Sequence, residues 1–209
     1  MTKILIVDDH PLIRAGLAQT FVEYMKKTEV TEAGSGEEAL KILSVGQYDI
    51  AILDISMPGM TGLDLLKELK KRSIAVPVLV LSIHPENEYA IRAFKSGARG
   101  YLTKNAPPAE LINAVKTILD GNRYITPGVT ERLLNEVVED GSRRPHELLS
   151  NREHHVMLAL CAGKTISDIA REMGLHVKTI STFKLRILRK MRMRTVADIT
   201  RYAVENSLI

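Results

Sequence analysis

Residues 50–54, Ile50-Ala51-Ile52-Leu53-Asp54, are four apolar side chains in a row closed by a carboxylate. A short, uninterrupted apolar run reads as a strand buried on both faces, the pattern of a parallel sheet covered by helices. The same pattern surrounds it. KILIV (3–7) runs into Asp8 and Asp9, VPVLVLS (76–82) ends at Ser82, and GYLTK (100–104) ends at Lys104; VTEAGS (30–35) supplies a shorter strand. Parallel strands deliver their last residues to one edge of the sheet, where open α/β folds build their sites. Three carboxylates and an ammonium are therefore expected at one rim.

Helical stretches separate these strands. Pro11 opens one with Ile13, Leu17 and Phe21 at four-residue spacing, and EEALKILSVG ends at Gly46. LDLLKELKKR (63–72) follows, then ENEYAIRAFKSG, stopped by Gly97, and PAELINAVKTILDG, with Pro108 near its start and Gly121 just past its end. Five strands alternating with five helices predict a three-layer α/β sandwich. Residues 126–138 (TPGVTERLLNEVV) read as one more short helix. EDGSRRPHE (139–147) lacks apolar spacing and reads as an interdomain linker. From Leu148 onward the pattern is all-helical: NREHHVMLALCAG, TISDIAREMG, VKTISTFKLRILRKM and TVADITRYAVEN.

A chain of 209 residues accommodates two small domains. Its 45% hydrophobic and 26% charged composition is that of an ordinary globular protein. No apolar stretch approaches the roughly 18 residues that cross a bilayer, and MTKILIVDD reaches acidic residues too soon for a secretory signal. The single cysteine, Cys161, excludes an internal disulfide framework and fits a reducing cytoplasm. Its setting in VMLALCAG predicts a packed core thiol. Charge is unevenly spread. Residues 1–139 hold 16 Lys+Arg against 18 Asp+Glu, and residues 140–209 hold 13 against 7, which together return the whole-chain +4. The compact basic second part points to a polyanionic partner.

Three crowded carboxylates repel strongly, about 4 kcal/mol for two unit charges about 4 Å apart at an effective dielectric near 20. Such a cluster binds a hard cation or stays partly protonated. An oxygen-only donor set, with no His or Cys in the pattern, favours Mg²⁺. A carboxylate beside a divalent cation and an ammonium can attack phosphorus, because both cations neutralise charge developing on the phosphoryl oxygens. The sequence permits an aspartyl-phosphate; spacing alone does not say which Asp is the nucleophile. Asp8 and Asp9 are also good helix caps, Tyr101 can equally be a core aromatic, and Lys104 a solvated loop residue.

Residues 1 to about 122 resemble the receiver domain of two-component response regulators, and the whole chain resembles the NarL/FixJ group of DNA-binding regulators. The matching residues are Asp8 and Asp9 after the first strand, Asp54 in LDISMPGMTG, Ser82 ending the fourth strand and Lys104 in GYLTK. The resemblance implies a five-stranded, doubly wound (flavodoxin-like) parallel sheet. It makes Asp54 the phosphoacceptor. Asp9, Asp54 and the Ser56 backbone carbonyl would hold Mg²⁺, with Asp8 acting through a bound water. Lys104 would pair with the phosphoryl group, Ser82 would donate its hydroxyl to it, and Tyr101 would be the aromatic that changes exposure. Two departures are visible: Ile83 replaces a small residue, and Asn105 follows Lys104 where many receivers have proline.

In the second part, TISDIAREMG offers Ser167 or Thr165 as a cap, Ile169, Ala170 and Met173 on one face, and Gly174 as a stop. The next helix places Val177, Ile180, Ile187, Leu188 and Met191 inward, leaving Lys178, Thr179, Ser181, Thr182, Lys184, Leu185, Arg186 and Arg189 outward. Such a face fits the major groove. The pair resembles a LuxR-type helix-turn-helix over about residues 148–209, with LSNRE as its opening signature. By position Ser181, Thr182 and Leu185 approach base edges, and the basic residues and Thr179 contact phosphates. His176 stands at the usual cap position of serine, and Phe183 replaces a common histidine. In the last helix Val196, Ile199 and Ala203 form either a dimer face or intramolecular core.

The expected organisation is thus a receiver at 1–122, a linker with a short helix at 123–147 and an all-α DNA-binding domain at 148–209. The expected function is a cytoplasmic, non-enzymatic regulator. A sensor histidine kinase would phosphorylate Asp54 and so control homodimerisation on double-stranded DNA, without membrane involvement. Three rivals are a regulator that ignores phosphate, an Asp-nucleophile phosphohydrolase, and an adaptor whose basic helices bind an acidic protein. The hydrolase needs a carboxylate two residues after its nucleophile, where this chain has Ser56.

Overall fold

The structure is a computed structural model and describes residues 1–131 and 144–209. Its contacts divide the chain into two units between Thr130 and Glu131. The first unit alternates β1 (Thr2–Val7), α1 (Pro11–Tyr24), β2 (Thr28–Ala33), α2 (Gly36–Val45), β3 (Ile50–Leu53), α3 (Gly62–Lys71), β4 (Val78–Ser82), α4 (Glu86–Ser96), β5 (Gly100–Thr103) and α5 (Pro108–Leu119). All strand pairs are parallel, in the order β2-β1-β3-β4-β5. This is the three-layer sandwich expected from the alternation, in the doubly wound order that the resemblance implies.

The central strands are apolar along their length because helices cover both faces. Ile4, Leu5, Ile6 and Val7, and likewise Ile50–Leu53, are buried, and Ile112, Val115 and Ile118 of α5 pack into the same core. The edge strand β2 keeps Glu29 and Glu32 and is only partly covered. Helix ends follow local chemistry. Ser35 and Thr61 accept the backbone N–H of Glu38 and Asp64 at the starts of α2 and α3, and Gly97 closes α4 at φ 113°.

The register sets the level of the site. Val7 pairs with Leu53 and Leu53 with Val80, so the residues after β1 and β3 emerge side by side. Asp54 N–H donates to the Val7 carbonyl at 2.8 Å, and Lys104 N–H to the Ser82 carbonyl at 2.7 Å. Gly62 is obligatory for a different reason: a Cβ there would stand 2.1 Å from the Asp54 carbonyl oxygen, so the start of α3 presses directly on the loop after β3. Asp8 and Asp9 do not cap α1. The cap position is His10, with no side-chain bond, which leaves both carboxylates at the rim.

Of the helix expected over 126–138, residues 127–131 are helical, and the remainder lies outside the described residues. The second unit opens with a 3₁₀ turn, Pro145–Leu148, followed by α6 (Asn151–Cys161), α7 (Ile166–Glu172), α8 (Val177–Met191) and α9 (Val196–Glu205). The 3₁₀ turn falls at the end of the stretch expected as linker, and within it His146 Nδ1 lies 2.8 Å from the Tyr202 hydroxyl. Met157 on α6, Ile169 on α7, Ile180 and Ile187 on α8, and Ile199 and Ala203 on α9 are buried. Ile199 and Ala203 are therefore core, not a dimer face. Two expectations fail. Val177, at the first position of α8, is 50% exposed. Cys161 is half-buried near the end of α6, its thiol pushed up by burial against an opposing hydrogen bond with Thr200.

LSNRE has a structural meaning. Ser150 accepts the Glu153 N–H and the Glu153 carboxylate accepts the Ser150 N–H, a reciprocal capping box. The buried Glu153 carboxylate also meets Lys190 Nζ at 2.5 Å, tying α6 to α8. Burial alone would raise the Glu153 pKa, but the Lys190 and Ser150 bonds outweigh it and hold it below the ordinary 4.5. A lowered carboxyl pKa contributes stability that is present above 4.5 and lost as pH falls through the lowered value. Glu153→Gln is expected to destabilise the second unit by about 1.5–3 kcal/mol at neutral pH. Its deficit relative to the parent should shrink below pH 4.5, as acid-dependent denaturation would show; a pH-independent deficit would contradict the ion pair.

Candidate functional site: an acidic rim and a basic helix

The rim gathers the four groups its strands predict. Lys104 Nζ lies 2.5 Å from Asp8 Oδ2 and 2.7 Å from Asp54 Oδ2. All three side chains are nearly sealed from solvent, 9% exposed for Lys104 and 3% or less for the two carboxylates. Ser56 N–H donates to Asp54 Oδ1 at 3.2 Å. Arg14 Nη1 donates to the Asp8 carbonyl at 2.7 Å and fixes the end of β1.

One member was not legible as a partner. His10 follows the acidic pair directly, and its backbone N–H donates to Asp8 Oδ1 at 2.8 Å. Its ring Nδ1 stands 3.1 Å from that oxygen and 2.9 Å from Asp9 Oδ1. The expectation of a site with no histidine nearby is thus corrected: the tight turn into α1 folds His10 back onto both carboxylates. Asp8, Asp9, His10 and Asp54 each offer a ligand atom within 4.8 Å of one another. The contact with His10 lacks hydrogen-bond geometry at Asp9, so Asp9 Oδ1 is buried with no hydrogen-bond donor among the described residues. An orphaned carboxylate oxygen facing further carboxylates fits a hard divalent cation.

The electrostatics are finely opposed. Burial pushes the Asp54 carboxyl above its ordinary value, and the neighbouring Asp8 charge adds to that, against the lowering effect of Lys104 and Ser56. Burial alone would lower the Lys104 pKa, but bonds and charges from Asp54 and Asp8 outweigh it and the net shift is upward. Lys104 is therefore a fixed ammonium at neutral pH, and the fold penalises the charged form of Asp54.

Beside the rim, Ser82 is fully buried and its Oγ accepts the His84 N–H at 3.2 Å. His84 links three groups. Its Nε2 lies 2.8 Å from Ser56 Oγ, its carbonyl accepts the Tyr101 hydroxyl at 2.9 Å, and its ring tilts against Tyr89 at a 4.6 Å centroid separation. Tyr101 is 1% exposed. Sequence reasoning missed His84, since a lone histidine in a loop carries no periodic signal. Ile83 is 65% exposed, so its side chain faces solvent.

On the second unit, α8 exposes Lys178, Thr182, Leu185, Arg186 and Arg189, while Thr179, Ser181 and Lys184 are partly covered. His176 stands at the cap position without a side-chain bond, and Thr165 rather than Ser167 caps α7. Lys190 is committed to Glu153 and does not join the outward charge.

Comparison with known proteins follows the same division. Residues 4–116 match the response regulator receiver domain, and residues 147–203 match the bacterial regulatory proteins of the luxR family. The response regulator UvrY of Escherichia coli (strain K12) is 30% identical over 209 residues, covering 100% of this chain and 96% of UvrY. A LuxR-family two-component response regulator structure from Aurantimonas sp. SI85-9A1 is similar at 33% identity and a TM-score of 0.59, covering 66% of this chain and 100% of its own. RcsB of Salmonella enterica, solved bound to a promoter, shares the fold along 100% of both chains at 22% identity and a TM-score of 0.63. The chain belongs to the NarL/FixJ-type response regulators, which join a receiver domain to a LuxR-type DNA-binding domain. It is a DNA-binding response regulator of a two-component system. Among the described residues no helix is long and apolar enough to cross a membrane.

Proposed function

We propose that Asp54 accepts a phosphoryl group from a sensor histidine kinase, and that this controls dimerisation of a cytoplasmic transcription factor on DNA. The observation that carries the reading is the Lys104 ammonium bridging Asp8 and Asp54 beside the Asp9 carboxylate, whose buried oxygen accepts no hydrogen bond among the described residues. Asp9, Asp54 and the Ser56 carbonyl would hold Mg²⁺; Asp8, already committed to Lys104 and His10, contributes at one remove. When bound, the ion would supply positive charge against the incoming phosphoryl oxygens. Lys104 supplies positive charge as well and positions the Asp54 oxygen it touches.

Phosphorylation adds about −1.5 to −2 charges and three acceptor oxygens. Ser82 and Lys104 are the donors that turn to them. In doing so Ser82 leaves the His84 N–H, and the His84 carbonyl that seats Tyr101 shifts with it. Tyr101 is the switch aromatic. The receiver spans about 1–122, the linker 123–147 and the DNA-binding domain 148–209, with Pro145–Leu148 ordered at the linker's end. Ser56 in place of a carboxylate two residues after Asp54 argues against a hydrolase, and no sustained phosphoester turnover is expected.

In the DNA-binding domain, Ser181, Thr182 and Leu185 face base edges. Lys178, Thr179, Lys184, Arg186 and Arg189 face phosphates. Affinity should fall with salt by about 0.9 log units per log unit for each phosphate neutralised. Arg189→Ala should weaken all duplexes alike and lower that slope by about one; an unchanged slope would remove Arg189 from the phosphate contacts. The reading as a whole is tested by selecting genomic fragments with and without a small-molecule phosphodonor. A defined site bound more tightly with phosphodonor supports it. A defined site bound equally in both arms would favour the regulator that ignores phosphate.

A further inference from the structure

Leu185 is 68% exposed, more than any other large apolar side chain described in the second unit. It stands in the middle of the outward stripe of α8, where Lys178, Thr182, Leu185 and Arg189 recur at spacings of four, three and four on one face. The buried face of the same helix is supplied by Ile180, Ile187 and Met191, so Leu185 has no packing role. Two neighbouring hydroxyls carry a second observation. Ser181 Oγ donates to the Val177 carbonyl at 3.0 Å, and Thr182 Oγ1 to the Lys178 carbonyl at 2.9 Å. Their protons are committed to the helix backbone, so toward a groove they present acceptor lone pairs and, for Thr182, a methyl group.

In the major groove the thymine C5-methyl is the apolar feature of the base edges, and the amino groups of adenine and cytosine are the donors. A leucine flanked by hydroxyls whose protons turn to the helix backbone, leaving their lone pairs outward, matches the pair offering both a methyl and an amino group. We infer that α8 reads an A·T base pair, with Leu185 packed on the thymine methyl and the Ser181 or Thr182 hydroxyl accepting from the adenine N6 amino group. Arg189 and Lys178, the side chains on this stripe able to grip a guanine, stand four and seven residues away, about 6 and 10 Å along the helix. This specificity rests on the proposed placement of α8 in the groove and deepens it by naming the base chemistry.

The test uses the full chain and a randomised duplex pool. The most strongly retained duplex is resynthesised with each thymine replaced singly by uracil, which removes only the methyl. One thymine in each half-site should lose about fourfold in affinity, the worth of one buried methyl group, while the other thymines tolerate the change. In Leu185→Ala, whose position is solvent-exposed and helix-compatible, thymine and uracil at that position should bind alike. If no thymine is sensitive, or if the same thymine stays equally sensitive in Leu185→Ala, the inference is overturned while DNA binding itself stands. If no duplex is enriched at all, the assignment of α8 as a DNA reader fails, and this inference fails with it.

Discussion

Lys104→Met is expected to lower the stability of the receiver by about 3–5 kcal/mol, because it removes one cation from two buried carboxylates. Methionine fills similar space, so the loss reports charge rather than a cavity. The deficit should be largest without divalent cation and should shrink when Mg²⁺ is added, since a bound ion repays part of the missing charge. Hydrogen exchange at the amides of β1 and β3 in the full chain would localise it to the receiver. In Asp54→Asn the background repulsion is already lower, so the same lysine replacement should cost less there; the difference is the coupling between the two groups. The pH dependence has a definite sign. A raised lysine pKa gives stability that is fully present below 10.5 and lost only as alkaline pH passes the raised value. A Lys104→Met deficit below about 1 kcal/mol, the scale of a surface pair, would show that the ammonium does not hold the rim together.

Asp54→Asn should abolish acyl-phosphate formation, since an amide oxygen is no nucleophile here, while leaving the fold at least as stable as the parent. Burial raises the Asp54 carboxyl above its ordinary 3.8, meaning that the fold penalises its charge. A raised carboxyl pKa gives stability that is present below 3.8 and lost as pH rises through the raised value; the neutral amide avoids that loss. Function and stability thus part company at this residue. The DNA affinity of the variant should be the same with and without phosphodonor. A variant that still responded to phosphodonor would place the phosphoacceptor elsewhere, and a strongly destabilised variant would mean that the Asp54 charge is a net structural asset.

Much of this was legible because strand ends carry their own punctuation. Runs such as ILIV and IAIL announce buried strands, and parallel topology forces the residues after them to one edge, so Asp8, Asp9, Asp54 and Lys104 meet. Helix boundaries followed from Pro11 and Pro108 at the starts of α1 and α5 and from Gly46, Gly97 and Gly121 at or just past the ends of α2, α4 and α5. What was not legible depends on turns and on neighbours distant in sequence. His10 joins the carboxylates through a local fold-back, and His84 links Ser82, Ser56 and Tyr101 through a loop without periodicity. The 3₁₀ turn at Pro145–Leu148 was not legible because EDGSRRPHE (139–147) lacks apolar spacing; His146 in it meets Tyr202, 56 residues further along the chain. Val177 failed because helical periodicity assigns a face but not how far the neighbouring layer extends.

The most direct measurement incubates the full chain with acetyl phosphate, with Mg²⁺ or with the divalent ion chelated, and maps any added phosphoryl group by peptide mass. The account predicts a single modification, on the peptide containing Asp54, formed with Mg²⁺ and lost both on chelation and in Asp54→Asn. Modification at Asp8 or Asp9 instead, or equal labelling without any divalent ion, would contradict it.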